Sequence, residues 1–209
     1  MLKPIWAGLL DLLAPPTCPA CELPTPTAHA FCGACAPLIE RTEDALATLG
    51  GYHYEGPLAD AIRRYKYRRA SEIAASLVPL LTTVLTPLAG SFDVISFVPL
   101  HPRRLRERGF DQTGLLVHGA ARRLSLTVRG DLLVRRRSTE VQASLDRKAR
   151  ATNVRDAFAA RAVTRGLRVL LVDDVRTTGA TLAEASRVLT DQGAIVQGFA
   201  LAVADEDPG

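Results

Sequence analysis

Residues 169–182, VLLVDDVRTTGATL, run an apolar stretch into two adjacent carboxylates, Asp173 and Asp174, and then into a turn of Gly and Thr. The first N–H groups of a helix have no intrahelical partner and carry the positive end of its dipole, so they attract phosphate. A turn from Arg176 to Thr181, containing Gly179 and the hydroxyls of Thr177, Thr178 and Thr181, can wrap one phosphate group. Two carboxylates beside it can accept hydrogen bonds from vicinal hydroxyls. A phosphate and a diol side by side describe a ribose 5-phosphate. An ordinary strand-to-helix turn wants one capping acid, and this one has two. Other nucleotide motifs are excluded. Gly114 and Gly119 have the spacing of a phosphate loop with no Lys-Ser/Thr after them, and G-x-G-x-x-G does not occur.

A second constellation lies near the start of the chain. Cys18, Cys21, Cys32 and Cys35 form C-x2-C-x10-C-x2-C. Each pair pinches a tetrahedral metal from one tight turn and two pairs close its shell, so the spacing predicts a structural Zn2+ site with no open position for catalysis. His29 lies between the pairs, but four thiolates already complete the shell. Two disulfides are the alternative, which a chain without a secretory signal disfavours. The segment PIWAGLLDLLAPP (4–16) has the apolar character of a signal peptide, yet only Lys3 precedes it, Asp11 interrupts it and no A-x-A-like cleavage site follows. Ile5, Trp6, Leu9, Leu10 and Leu13 mark one face of a short amphipathic helix instead, and the expected compartment is the cytoplasm.

The elements that must position these residues read as α/β. Residues 56–81 have helical spacing with a break near 65–71, and 92–100 is a β-branched apolar run ended by prolines. Residues 111–124 return to helical spacing and 131–134 suggest a short strand. Residues 167–172 form the clearest buried strand, 180–193 the clearest helix with Gly193 as its stop, and 194–204 the last strand. DEDPG (205–209) reads as an acidic tail. Strands alternating with helices imply a largely parallel sheet flanked by helices, with its ligand site at the carboxyl ends of the strands. The expected division is an N-terminal helix and zinc knuckle over 1–50 and an α/β domain over 51–209. A hydrophobic share of 47% supports a real core, and mean hydropathy is +0.09. No apolar run is expected to reach the length that spans a bilayer.

Charge is uneven. In residues 1–50 Lys3 and Arg41 face Asp11, Glu22, Glu40, Glu43 and Asp44, a net of −3, so with +4 overall the remainder carries +7. Arg supplies 23 of the 26 basic residues, clustered at 63–69, 103–108, 135–137 and 146–150. Arg offers a planar fork of donors that suits phosphate, whereas Lys acts as a point charge. The clusters beside turns point to anion handling, by a small polyphosphate site or a nucleic-acid surface.

Taken together, these segments resemble the ComF (ComFC, GntX-like) family, which couples a type I phosphoribosyltransferase fold to an N-terminal zinc knuckle. VLLVDDVRTTGATL is similar to the phosphoribosyl-pyrophosphate motif of type I phosphoribosyltransferases. The knuckle, YKYRR (65–69), VPLHPRRLRERGFDQ (98–112) and RRRSTEVQASLDRKARATNVRDAF (135–158) fall in the family's order. The resemblance implies that Asp173 and Asp174 are the catalytic pair that holds the ribose hydroxyls. It implies that Val175, Arg176, Thr177, Thr178, Gly179, Ala180 and Thr181 bind the 5-phosphate, while Pro99 and Leu100 meet pyrophosphate. Arg103, Arg104 and Arg108 are candidate pyrophosphate clamps. Residues 136–153 resemble a mobile loop that closes over the site, with Arg137, Gln142, Arg147, Lys148 and Arg150 as its candidates. Mg2+ would span pyrophosphate and ribose oxygens.

Thr177 stands where oxopurine-salvage relatives carry an acid, so purine salvage is disfavoured. Position 2 is Leu, with no Cys nucleophile there for glutamine-dependent amidotransfer. Two departures from the family pattern stand out: Asp111-Gln112 replaces the usual Asn-Gln, and Leu100-His101 replaces a second Val-Pro step. An extra carboxylate at 111 would oppose pyrophosphate unless Arg108 pairs with it.

Two functions fit. One is an Mg2+-dependent enzyme that transfers phosphoribosyl from phosphoribosyl pyrophosphate to an unassigned acceptor, in the setting of DNA uptake in natural transformation. The other is a single-stranded DNA-binding competence module that retains the sugar-phosphate pocket. Arg63, Arg64, Lys66, Arg68 and Arg69 are its candidate DNA contacts, DNA-uptake proteins its expected partners, and Tyr52, Tyr54, Tyr65, Tyr67, Phe110 and Phe158 the aromatics available for base stacking.

Overall fold

A computed structural model describes residues 16–25, 31–45, 47, 49–67, 70–137 and 154–204. The expected helix over Ile5–Leu13 and the tail 205–209 lie outside the described residues. In chain order the main elements are β1 (Gly50–His53), α1 (Gly56–Tyr67), α2 (Ala74–Leu85), β2 (Val94–Phe97), α3 (Pro102–Arg108), α4 (Gln112–Leu124), β3 (Leu133–Arg135), β4 (Phe158–Ala160), β5 (Arg168–Arg176), α5 (Ala180–Asp191) and β6 (Ile195–Val203).

Four strands form one sheet in the order β1-β6-β5-β2, and every neighbouring pair is parallel. A parallel sheet is stable when helices cover both faces, and the core divides accordingly. Leu170 and Val172 of β5 pack with Leu58, Ile62, Tyr65, Leu77, Leu81 and Leu116 of α1, α2 and α4. Val169 and Leu171 pack on the opposite face with Leu182, Ala185 and Leu189 of α5 and with Leu132, Leu133 and Phe158 of the β3–β4 hairpin. The period of two along β5 thus serves two cores.

Several boundaries differ from expectation for physical reasons. The break near 65–71 falls where α1 ends at Tyr67, and helical structure resumes at Ser71. The run 92–100 is hydrogen-bonded strand only over Val94–Phe97, and the N–H of Val98 continues the pairing by donating to Val172 O at 2.9 Å. The short strand expected at 131–134 lies at 133–135 and pairs antiparallel with β4, outside the parallel sheet. β1, with two glycines, gave no strand pattern. A Cβ at Gly51 would stand 2.8 Å from Val84 Cγ1, so this edge strand needs glycine to fit beneath α2.

One apolar stretch bears on the expected lack of a bilayer-spanning run. Ser71–Leu88 is 18 residues long with mean hydropathy 1.4, enough in length and composition to cross a bilayer. Its apolarity has another use: Leu77, Leu81 and Leu85 are fully buried in the core between α4 and the sheet.

Candidate functional site

The acid pair ends the apolar part of β5, at the carboxyl edge of the sheet. Alternation sends Asp174 toward the face covered by α1, where it is only 7% exposed and meets Lys66 Nζ at 2.9 Å from Oδ1. Lys66 lies four residues after Ile62 and eight after Leu58, on the buried stripe of α1. Burial acts to lower the Lys66 pKa, and the adjacent Asp174 carboxylate outweighs it, so the ammonium is held above its ordinary value. Asp173 Oδ1 accepts the N–H of Asp174 at 2.8 Å. Burial, then repulsion from Asp174, push Asp173 up to about 7 against the opposing pull of Lys66.

Beyond the pair the chain turns. Gly179 adopts the left-handed conformation (φ +74°), which favours glycine, although no atom comes closer than 3.6 Å to an added Cβ. Conformation, not space, selects glycine here. α5 starts at Ala180 without a side-chain cap, and the Thr178 hydroxyl is 3.5 Å from the Ala180 N–H, too long to satisfy it well. Among the described residues no side-chain cap serves the start of α5, which lies at the carboxyl edge of the sheet just beyond β5.

The loop after β2 faces the same edge. Asp111 N-caps α4 by accepting from Gly114 N at 2.8 Å, and its other oxygen accepts from Leu100 N at 3.2 Å. The carboxylate expected to oppose pyrophosphate is thus engaged by two backbone amides. Burial nevertheless keeps its pKa raised. An Asn here would offer one acceptor oxygen where Asp offers two, so the departure from Asn-Gln fastens the Pro99–Leu100 loop to α4. Arg108 lies over the Tyr67 ring at 5.4 Å from its centroid and feels the charges of Asp174 and Asp111. Arg104 is half-buried and electrostatically coupled to Arg108 and Arg135. Arg103 turns outward, two-thirds exposed, and pairs with Glu107 at 2.9 Å.

The structure thus brings together Asp173, Asp174, Lys66, Arg104, Arg108 and the turn 175–181, and sets Arg103 apart. Arg137 Nη2 donates to Arg155 O at 2.7 Å, so both sides of the segment 138–153 are held together. Gln142, Arg147, Lys148 and Arg150, with Arg68 and Arg69, lie outside the described residues. The basic cluster on α1 is not one surface. Arg63 is exposed and pairs with Asp60 at 2.9 Å, Arg64 turns to the cysteine segment, and Lys66 turns to Asp174. Arg64 and Lys66, expected with Arg63 among the DNA contacts, point in different directions by helical phase, and each has an internal partner.

Two residues at the site escaped the sequence reading. Arg135 is 7% exposed, lies over the Phe158 ring at 5.2 Å and lowers the pKa of Asp173. Gln112 is 1% exposed and neither atom of its side-chain amide has a hydrogen-bond partner among the described residues. Helical phase could have exposed Lys66; nothing local distinguishes Arg135 from Arg136.

The four cysteine sulfurs all lie within 4.8 Å of one another, with Cys21 and Cys32 Sγ 3.6 Å apart, and none forms a disulfide. Tetrahedral thiolates at the usual zinc distance stand about 3.8 Å apart, so this cluster fits Zn2+. The Cys32 N–H approaches Cys18 Sγ at 3.4 Å. Burial opposes ionisation of Cys18, but backbone N–H donors prevail and lower it to about 6. Arg64 docks this knuckle: Nη1 donates to Cys18 O at 3.1 Å and Pro19 O at 2.7 Å, and Nη2 pairs with Glu22 at 2.8 Å. Arg64→Ala is expected to loosen the knuckle by about 1.5–3 kcal/mol, the scale of charge-assisted hydrogen bonds. Zinc transfer to a chromogenic chelator should then accelerate while the unfolding midpoint of the α/β domain stays in place. Glu22→Gln, at an exposed partner, should have a smaller effect.

No family model matches the chain. The chain is 33% identical over 182 residues to the DNA utilization protein YhgH of Escherichia coli K12, covering 85% of this chain and 79% of that protein. It is also 33% identical over 171 residues to competence protein F of Haemophilus influenzae, covering 78% and 73%. Among solved structures, orotate phosphoribosyltransferase from Aeropyrum pernix aligns with a TM-score of 0.42 at 21% identity, over 71% of this chain and 68% of that one. With a third of its residues shared with these two proteins across most of their length, the chain belongs to the ComF family of DNA utilization and competence proteins.

Proposed function

We propose that this protein binds Mg2+–phosphoribosyl pyrophosphate and transfers the phosphoribosyl group to an acceptor, in a cytoplasmic step of DNA uptake or utilization. One observation carries the reading: a carboxylate pair at the end of a central parallel strand leads directly into an uncapped helix N-terminus through a left-handed glycine. The α5 amides and Thr hydroxyls would take the 5-phosphate, and the acid pair the ribose hydroxyls. Arg104, Arg108 and the Pro99–Leu100 loop would meet the departing pyrophosphate. Bond breaking at ribose C1 leaves positive charge on the sugar and negative charge on pyrophosphate, so the protein's task is to position the groups and neutralise charge. The donor set fits Mg2+, since carboxylate oxygens are hard ligands and the second oxygens of Asp173 and Asp174 have no partner among the described residues. Asp173 and Asp174, through the ribose hydroxyls they bind, would hold the ion in place, and it would supply charge neutralisation at pyrophosphate. Calorimetry with phosphoribosyl pyrophosphate, with and without Mg2+, tests this reading. No heat of binding in either condition would overturn it.

A second reading has its own observation. Tyr52, Tyr65 and Phe158 are buried, Phe110 packs against Tyr65 and the half-buried Tyr54 ring lies under Arg63, whereas Tyr67 is 76% exposed, lines a surface hollow with Arg63 and has Arg108 over its ring. This is the arrangement expected of a base-stacking platform for single-stranded DNA. If the protein binds DNA there, affinity should fall steeply with salt and vary little with sequence. Neutralising Arg63, Arg68 and Arg69 should flatten the log–log salt slope by roughly 0.7 for each DNA phosphate that the variant ceases to neutralise. Arg64 is left intact because its replacement undocks the knuckle. Fluorescence titrations at several salt concentrations read the slope, and salt-independent or undetectable binding would remove this reading.

A further inference from the structure

We propose that Lys66 is a resident counter-cation that reserves Asp174, so that divalent metal enters this pocket only in company with an anionic sugar phosphate. The inference rests on reading the acid pair as a sugar-phosphate site and adds how that site selects its ligand.

The geometry begins with the ion pair. Lys66 Nζ lies 2.9 Å from Asp174 Oδ1, with side chains 18% and 10% exposed, so water screens the contact little. A buried ion pair is weak evidence for stability, because the cost of removing both charges from water offsets most of the attraction. Its position matters more. The pair joins α1 to the carboxyl end of β5, where the phosphate turn begins, and not to an arbitrary point of the core.

The charges around it settle what a bare cation would meet. Lys66 feels Asp174 and Asp173, Arg108 feels Asp174 and Asp111, Arg135 feels Asp173, and Arg104 adds positive charge near Arg108 and Arg135, while Asp111 is already engaged by two backbone amides. A divalent ion on the second oxygen of Asp174 would stand beside the Lys66 ammonium that holds Oδ1 and suffer repulsion from it and from the guanidinium groups. A metal already chelated by a phosphorylated sugar brings negative charge that these arginines attract. The pocket therefore discriminates between free metal and the metal–anion complex, and Lys66 is the residue that sets the difference. Lys66 acts here as a specificity residue, through Asp174, and takes no part in bond making.

The test is Mn2+ binding followed by electron paramagnetic resonance on the zinc-loaded protein, with the metal alone as probe. Wild type should bind Mn2+ weakly. Lys66→Met keeps the length and removes the charge, and should bind Mn2+ at least about tenfold tighter, a conservative figure for losing one unit charge at contact distance. Lys66→Arg keeps the charge and should stay as weak as wild type. Should the Met variant not fold, Lys66→Gln offers Asp174 a neutral donor and should show the same gain. Equal or weaker Mn2+ binding in the neutral variants would overturn the proposal, as would tight Mn2+ binding by the wild type. Failure of the sugar-phosphate reading is a separate result: no variant would then respond to phosphoribosyl pyrophosphate, while the Mn2+ contrast would still stand or fall by itself.

Discussion

Replacing Asp174 by Asn is expected to lower affinity for Mg2+–phosphoribosyl pyrophosphate by tenfold or more, since a charge-assisted hydrogen bond contributes about 1.5–3 kcal/mol. Asp173→Asn should lose affinity on the same scale. Stability should separate the two. Asp174→Asn strands Lys66 in a mostly buried position, and breaking a buried pair costs up to about 3–5 kcal/mol, less whatever Asp173 recovers by taking the ammonium. Asp173→Asn instead removes a carboxylate that burial and Asp174 disfavour, so this variant should be as stable as wild type or more so at neutral pH. Calorimetry paired with denaturant unfolding reads both effects. Unchanged affinity in both variants would mean that the pocket holds no sugar phosphate.

The same carboxylate gives a pH signature. Asp173 rises from an ordinary value of 3.8 to about 7 in the fold. Between those values the native state keeps a proton that the unfolded chain has released, so this group's contribution to stability is present at low pH and is lost as pH rises through about 7. Asp173→Asn should flatten that part of the stability profile. A wild-type profile identical to that of the variant between pH 4 and 8 would contradict the burial of this acid.

Removing zinc is the second large perturbation. Binding to four-thiolate sites contributes about 10–16 kcal/mol at neutral pH, so the metal governs whether such a knuckle folds at all. Purified protein under reducing conditions should carry about one equivalent of zinc. Strong chelation, or Cys18→Ser, should expose residues 16–45 to proteolysis and hydrogen exchange. Sugar-phosphate affinity should fall far less, because the contacts of the knuckle with the rest of the described chain, through Arg64, the bonds of Glu40 and Thr42 with β1 and the packing of Phe31 and Ile39 on the core, do not involve Asp173, Asp174 or the turn that follows. A protein equally stable without metal would refute the structural role.

Much of the site could be read from residue order alone. The acid pair, Gly179 and the Thr-rich turn sit next to one another in sequence, because a strand end and the helix start that follows it are joined by the chain. The cysteine spacing worked for the same reason: each pair closes a local turn. The parallel sheet followed from apolar runs alternating with helical spacing, and the strands 167–172 and 194–204 emerged with errors only at their ends.

What only the tertiary structure decided depends on contacts between distant segments. Lys66 lies within a run of basic residues that looks uniform in sequence, yet helical phase turns Arg63 to solvent, Arg64 to the knuckle and Lys66 to Asp174, more than a hundred residues away. The role of Asp111 depended on the distance from its carboxylate to Leu100 N–H, and the choice of Tyr67 among six aromatics depended on which rings the core buries. Residue order sets propensity and chemistry along the chain. Partnership between charges is set by packing, because a charge is neutralised by whatever lies within a few ångströms of it and not by its neighbours in sequence.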